Sequence, residues 1–364
     1  MRKKQLGLTA TAVTLIICTA ALIWQTTWKE NNRVHQHLST PKKESCTKIH
    51  ADGEFCTHLP LLLIDTGGVE IPGAVAEPLD MFGEHTYTKA ADGEPESTVR
   101  LRVIDNKKKY NHSSDKPKYD VTTKIRIRGH SSRKFEKAPY LLKLTDGNEN
   151  DLSLPLIGMD AHSEWVLHGP HLDKSLLCNY MFYNLAGEIM DYSPNCRFCE
   201  LILDGDYRGV YLLTESITAG KNARLALTKA NKGTLLSGYL LRVDRPTEED
   251  LEGLRDVNTF AERAFLQTQD VAIRYPGQSK LTESLKKRIE FDYSDFEKAL
   301  YSYDYNMDDY GYKNYIDTDS YVDYFVINCF AINNDAGRFS TYIYKNPDDK
   351  YKMCVWDFNN ACDN

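Results

Sequence analysis

The sequence predicts an α+β chain. Three observations carry this. Short apolar or alternating runs bounded by Gly, Pro and Asp recur from Leu59 to Glu215, and three- and four-residue apolar spacing dominates from Leu281 to Ile332. No repeat with a period of roughly 20–50 residues is visible, which excludes solenoids and propellers. Of 364 residues, 41% are hydrophobic and 27% charged, enough apolar surface for a sizeable core, so global disorder and a polytopic membrane protein are excluded. A net charge of −7 argues against a nucleic-acid partner, which calls for a basic stripe.

Arg2, Lys3 and Lys4 precede an uncharged stretch, residues 5–27. A spanning helix needs about 20 mostly apolar residues, and the basic cluster ahead of it keeps the N-terminus inside. Residues 1–28 are therefore expected to be a basic cluster and transmembrane anchor in a bacterial cell membrane, with the domain on the extracytoplasmic side. A cleaved signal peptide, giving a secreted protein, is the alternative. Residues 29–58 are polar and predict a stalk, and the folded domain is expected over 59–364.

Within the domain, Leu61 to Ile64 predicts a strand that ends in the turn Asp65-Thr66-Gly67-Gly68. The alternation from Val121 to Arg128 predicts a second strand, closed by Gly129-His130-Ser131-Ser132, and Tyr140 to Leu144 a third. Leu176, Leu177, Tyr180, Met181, Leu185 and Ile189 share one helical face, with Asp173 as the cap. Phe198 to Leu203 and Gly209 to Glu215 form a hairpin around Asp204-Gly205-Asp206. Strands are expected at 238–243 and 271–274, and helices at 281–289, 293–301 and 320–332. Two final strands lie around Tyr342 and over 352–355. The Tyr- and Asp-rich stretch 292–324 reads as helix faces and loops with half-buried tyrosines.

Nine cysteines, less Cys18 in the apolar stretch, leave an even number, which suits disulfides outside the cytoplasm. Cys46 and Cys56 flank a short polar loop that a disulfide could staple. Cys178, Cys329 and Cys354 sit among apolar neighbours as buried thiols. Cys196 and Cys199 fall in a strand-like run and read as structural.

The chemistry concentrates near the C-terminal end. A helix delivers Asn333-Asn334-Asp335 into a loop, and a hairpin then presents Trp356-Asp357-Phe358-Asn359. Helix, loop aspartate, hairpin and Asp-Phe are the order of parts in the catalytic half of a protein kinase, where one aspartate receives a hydroxyl proton and the other holds a metal. Upstream, a Gly-Ser turn, a strand with Lys143, a helix, two strands and Glu215 follow the order of a phosphate-covering turn, phosphate-pairing lysine, helix and hinge.

These residues also resemble a known family. IRIRGHSSRKFEKAPYLLKL over 125–144, the helix start at 173–177, GYLLRVDR over 238–245 and the paired Asn-Asn-Asp and Trp-Asp-Phe ends are similar to the CotH family of spore-coat kinases. The resemblance implies a divergent protein-kinase-like fold, with a β-rich N-terminal lobe and a helical C-terminal lobe. It implies an ATP-dependent Ser/Thr kinase that uses Mg2+ or Mn2+ and acts on surface or coat proteins. By motif, it makes Asp335 the catalytic base and Asp357 a metal ligand, with Asn359 beside it. Gly129, Ser131, Ser132 and Lys143 would contact phosphate, and Glu215 would mark the hinge or nucleotide. Glu188 could pair with Lys143. Ser340 and Asn359 stand where relatives often have an asparagine and an acid, and the chain stops seven residues after Asp357, so the domain is expected to lack its C-terminal portion. The alternative is a weak or inactive CotH-like scaffold that binds protein or carbohydrate.

Overall fold

A computed structural model describes residues 35–39, 42–48, 50–51, 53–76, 86–219, 223–229, 236–245, 253–266 and 270–363. In chain order the strands are β1 (Cys56–Thr57), β2 (Leu61–Asp65), β3 (Ser97–Ile104), β4 (Asn111–His112), β5 (Tyr119–Ile127), β6 (Tyr140–Thr145), β7 (Glu164–His168), β8 (Cys196–Leu203), β9 (Asp206–Glu215), β10 (Tyr239–Asp244), β11 (Asp270–Tyr275), β12 (Thr341–Lys345) and β13 (Lys352–Cys354). The helices are α1 (Gln36–Ser39), α2 (Cys178–Ile189), α3 (Phe260–Arg263), α4 (Glu283–Tyr301) and α5 (Thr318–Ala331).

Seven strands close into a barrel in the order β2-β3-β5-β6-β7-β9-β8. The seam is the parallel pair β2–β8, with Leu61 opposite Glu200; the other barrel pairs are antiparallel. Side chains alternate across a strand, so each strand gives one set of residues to the interior and the other to the outside. Leu62, Ile64, Val99, Leu101, Ile125, Leu142, Leu144, Trp165 and Leu167 belong to the barrel core. Full burial of each such side chain contributes about 1.5–3 kcal/mol. On the outer face, Leu141 of β6 and Val166 of β7 join a second core with Phe182 and Tyr183 of α2, Tyr239, Trp356 and Phe358.

That second core is covered by a four-stranded antiparallel sheet, β11-β10-β12-β13. Two of the helices around it, α4 and α5, start on side-chain caps, which satisfy otherwise orphaned N–H groups. Thr282 accepts from the Leu285 N–H at the start of α4, and Asp317 from the Ser320 N–H at the start of α5. Asp173 is not the cap expected of it: α2 begins after Leu177 with no side-chain cap, and Asp173 braces that start by accepting from the Cys178 N–H at 2.7 Å.

Several expectations are corrected. The kinase-like fold with a helical C-terminal lobe is overturned by the closed barrel, by the sheet built from β10 to β13, and by the presence of only five helices among the described residues. The helical periodicity from 281 to 332 is real, but strands before and after it pair with one another and place a sheet where a helical lobe was expected. The single-pass membrane placement is corrected too. No helix of the described residues is long and apolar enough to cross a membrane, and residues 5–27, on which that expectation rested, lie outside the described residues, as does Cys18.

The helices expected at 281–289 and 293–301 are one continuous helix, α4. The eight described cysteines are thiols, none joined in a disulfide, and Cys329 is exposed rather than buried. Tyr293 and Tyr324 are buried, whereas Tyr303 and Tyr310 stand in solvent.

Candidate active site

A cleft opens between the outer face of β5, β6 and β7 and the end of the four-stranded sheet. Its walls carry Arg126, Arg128, Arg133, Arg242, Arg245 and Arg274 against Glu164, Asp244, Asp335 and Asp357. Six cations against four carboxylates make the cleft locally cationic in a chain of net charge −7. Such focusing in a concave site attracts an anion. The arginines come from sequence alternation: Ile125 packs inside the barrel, so Arg126 and Arg128 fall on the outer, cleft-facing side of β5.

The turn after β5 is fixed from within. Gly129 has φ of +97°, and a Cβ there would lie 2.0 Å from the Ser132 Oγ, so the position admits only glycine without a shift. Ser131–Lys134 forms a single 3-10 turn. Arg133 donates to the Gly129 carbonyl and, at 2.7 Å, to the Gly73 carbonyl, while its guanidinium lies 3.8 Å from the centre of the Tyr87 ring.

Two loops bring the aspartates to the cleft. α5 ends on Ile332 in the left-handed region, at φ 52°, which turns the chain into Asn333–Asp335. The Asn333 amide donates to Asn328 Oδ1 at 3.0 Å and to the Asp357 carbonyl at 3.1 Å, tying one aspartate loop to the other. Asn360 Nδ2 donates to Asp335 Oδ2 at 2.7 Å and orients that carboxylate. α2 holds the second loop: the Asp357 N–H donates to the Tyr183 hydroxyl at 3.1 Å and the Phe358 N–H to Asn179 Oδ1 at 2.7 Å. The Asn179 amide in turn donates to Asn359 Oδ1 at 2.7 Å.

Electrostatics mark the same spot. Burial pushes the Asp357 carboxyl above its usual range, with the charges of Asp335 and Asp244 pushing the same way, against the Asn359 N–H and Arg128. Burial pulls Arg128 down, and no carboxylate among the described residues forms an ion pair with it; its guanidinium sits 5.4 Å from the Trp356 ring centre. His168 is pushed down to about 3 by burial and by Arg128, so it stays neutral, and its Nε2 has no hydrogen-bond partner among the described residues. Mutually repelling carboxylates beside an unpaired guanidinium suit a hard divalent cation together with a phosphate. The cation relieves the repulsion through oxygen ligands and the anion meets the arginine.

Of the sequence-predicted residues, Gly129, Ser131, Ser132, Asp335, Asp357 and Asn359 line this cleft. Lys143 does not; it faces an adjoining hollow and pairs with Glu96 at 2.5 Å. Glu215 is buried in an ion pair with Arg224 at 2.5 Å, and its neighbours Ser216 and Ile217 line the cleft instead. Glu188 pairs with His35 at 3.0 Å, so it is not Lys143's partner. Arg128, Asp244, Asn179 and Tyr183 were given no role by sequence reasoning. The alternation in β5 was a signal for Arg128, whereas Asn179 and Tyr183 look like ordinary helix residues.

A family model described as CotH kinase protein matches residues 125–364. The chain belongs to the CotH family. No curated protein matches it. The CotH span contains the cleft residues named above, from Arg126 to Asn360, and it begins within β5, so β1 to β4 precede it. Membership of the CotH kinase family points to a kinase-like function.

Proposed function

We propose that the cleft is a phosphotransfer site in which ATP, bound with Mg2+ or Mn2+, gives its γ-phosphate to a serine or threonine hydroxyl of a protein such as a surface or coat protein. The observation that carries this reading is the meeting of Asp335 and Asp357 in one locally cationic cleft. Arg128 and the turn Gly129–Ser132 hold phosphate oxygens. Leu141, Val166 and Ile217 give an apolar wall for the nucleoside. Asp357 and Asp244 hold the cation, which neutralises charge building up on the phosphate. The Asn359 amide oxygen is already engaged by Asn179, so Asn359 shapes the loop more than it binds the cation. Asp335, oriented by Asn360, accepts the proton of the attacking hydroxyl. The test is transfer of label from γ-labelled ATP to the chain itself or to a Ser-rich peptide. Transfer must require the divalent cation and disappear in Asp335→Ala; transfer without a cation sinks this reading.

A second reading rests on a different feature. Tyr303, Tyr305 and Tyr310, after α4, are 104%, 50% and 71% exposed, and exposed aromatic rings bind sugars and peptides. On that reading the chain is a non-catalytic scaffold, which shows no transfer and loses carbohydrate or peptide binding when these tyrosines become serine.

A further inference from the structure

Outside the CotH span, four side chains converge at the β1–β4 ladder. Cys46 Sγ, Cys56 Sγ and one ring nitrogen each from His50 and His112 lie within 4.8 Å of one another. Cys56 and His112 face each other directly across the β1–β4 ladder, and Cys46 and His50 reach the same point from the preceding segment. Cys46 Sγ is 3.3 Å from His112 Nε2 and 3.5 Å from His50 Nε2. A tetrahedral zinc with bonds of about 2.3 Å to sulfur and about 2.05 Å to nitrogen has sulfur–nitrogen edges of about 3.5 Å. The two edges lie at and just below that value.

The far nitrogens point the same way. His112 Nδ1 is 3.4 Å from Asp115 Oδ2, and His50 Nδ1 is 3.5 Å from Glu54 Oε2. Carboxylates at Nδ1 favour the tautomer that leaves the Nε2 lone pair free for a metal. With both rings as Nδ1–H tautomers, the single Cys46 thiol proton serves only one of the two facing Nε2 lone pairs, and a cation would take both. Charging both rings instead would set two imidazoliums 5.3 Å apart, centre to centre. A disulfide between Cys46 and Cys56 would use up both sulfurs, whereas both are free thiols here.

We propose that Cys46, His50, Cys56 and His112 form a structural Zn2+ site that clips the segment before the barrel onto β4. Two thiolates balance the charge of the ion, and all four positions are filled by protein, the closed arrangement of structural rather than catalytic zinc. The β1–β4 ladder is only two residues long, with a few turn and side-chain hydrogen bonds beside it, and metal binding would add folding free energy to it.

The test is metal analysis of the full chain, purified without chelator and with any affinity tag removed. About one equivalent of zinc is expected in the unaltered chain and in Asp357→Ala, against a small fraction in the Cys46→Ser, Cys56→Ser double variant. Equal occupancy in Asp357→Ala separates this site from the cleft cation. A strong chelator should lower the melting temperature of the unaltered chain and leave that of the double variant unmoved. If the double variant does not fold, cobalt replacement in the unaltered chain decides. Intense visible bands of tetrahedral cobalt with a thiolate charge-transfer band support the site, and a weak octahedral spectrum overturns it. Background zinc in the unaltered chain, or a native Cys46–Cys56 disulfide seen as a two-hydrogen mass loss, also overturns it.

Discussion

The backbone N–H of Asp357 donates to the Tyr183 hydroxyl at 3.1 Å, across 174 positions of sequence. Tyr183 is fully buried, and burial, together with the charge of Asp357, pushes its phenol well above the ordinary tyrosine range, so it stays protonated. α2 is therefore a template for the second aspartate loop, which sits in the left-handed region at φ 58°.

Tyr183→Phe removes the acceptor while keeping the ring. The Asp357 N–H then loses its partner, which costs about 1–3 kcal/mol. Chemical denaturation should show a lower midpoint at unchanged slope. Phosphate transfer should fall through kcat while the KM for ATP holds, since the loop rather than the nucleotide wall is disturbed. Unchanged stability would show that the bond does not hold the loop.

Asp357 makes stability depend on pH in a defined direction. Its folded pKa lies above the unfolded value, so the stability it contributes is full below the unfolded pKa of about 3.9 and is lost as pH rises through the raised folded pKa. Asp357→Asn removes that loss. Without divalent cations the variant should melt higher than the parent at neutral pH, and the gap should close towards the acid end. Added Mg2+ should raise the melting temperature of the parent alone. Parallel melting profiles for the two proteins would contradict the burial of the Asp357 carboxyl and its repulsion by Asp335 and Asp244.

Glu215 is expected to act on stability. Its carboxylate meets Arg224 at 2.5 Å and the Tyr192 hydroxyl at 3.2 Å, and it is 2% exposed. Removing one partner of a buried pair strands the other, so Glu215→Ala should lose about 3–5 kcal/mol on denaturant unfolding. A loss under 1 kcal/mol, with a raised KM for ATP, would restore the nucleotide role read from the sequence.

Arg128 and Lys143 divide the phosphate-binding role unequally. Arg128 lines the cleft without an ion pair among the described residues, whereas Lys143 is engaged by Glu96. Charge-assisted hydrogen bonds are worth about 1.5–3 kcal/mol, so Arg128→Met should weaken ATP binding by about 10- to 150-fold, and Lys143→Met by less than about 10-fold. Titration of a fluorescent ATP analogue reads both, and the reverse order would return the role to Lys143.

Much of the site was legible because its motifs are local. Asn333-Asn334-Asp335 follows a helix and Asp357 follows a hairpin in sequence as in space, and Gly129 to Ser132 forms the turn its composition suggests. What failed was long-range. β10 pairs with β12 about a hundred positions away, Val243 opposite Thr341, and nothing local in either strand announces the partner, so the sheet was mistaken for the surroundings of a helical lobe. Lys143 has the right residue type on the right strand, yet the charge that holds it, Glu96, precedes β3. β3 itself was missed although its alternation is clean: Val99, Leu101 and Val103 are buried between more exposed Arg100 and Arg102. β7 gave no such signal, because Trp165, Val166 and Leu167 are all buried, two inside the barrel and one outside.

The most direct test of the central claim is phosphate transfer by the full chain, measured with γ-labelled ATP, Mn2+ or Mg2+ and a Ser-rich peptide, in parallel with Asp335→Ala and Asp357→Ala. Cation-dependent labelling of serine or threonine that both variants abolish, at retained secondary structure, is the predicted result. Labelling that survives both substitutions, or none by the unaltered chain at saturating ATP and cation, would contradict it.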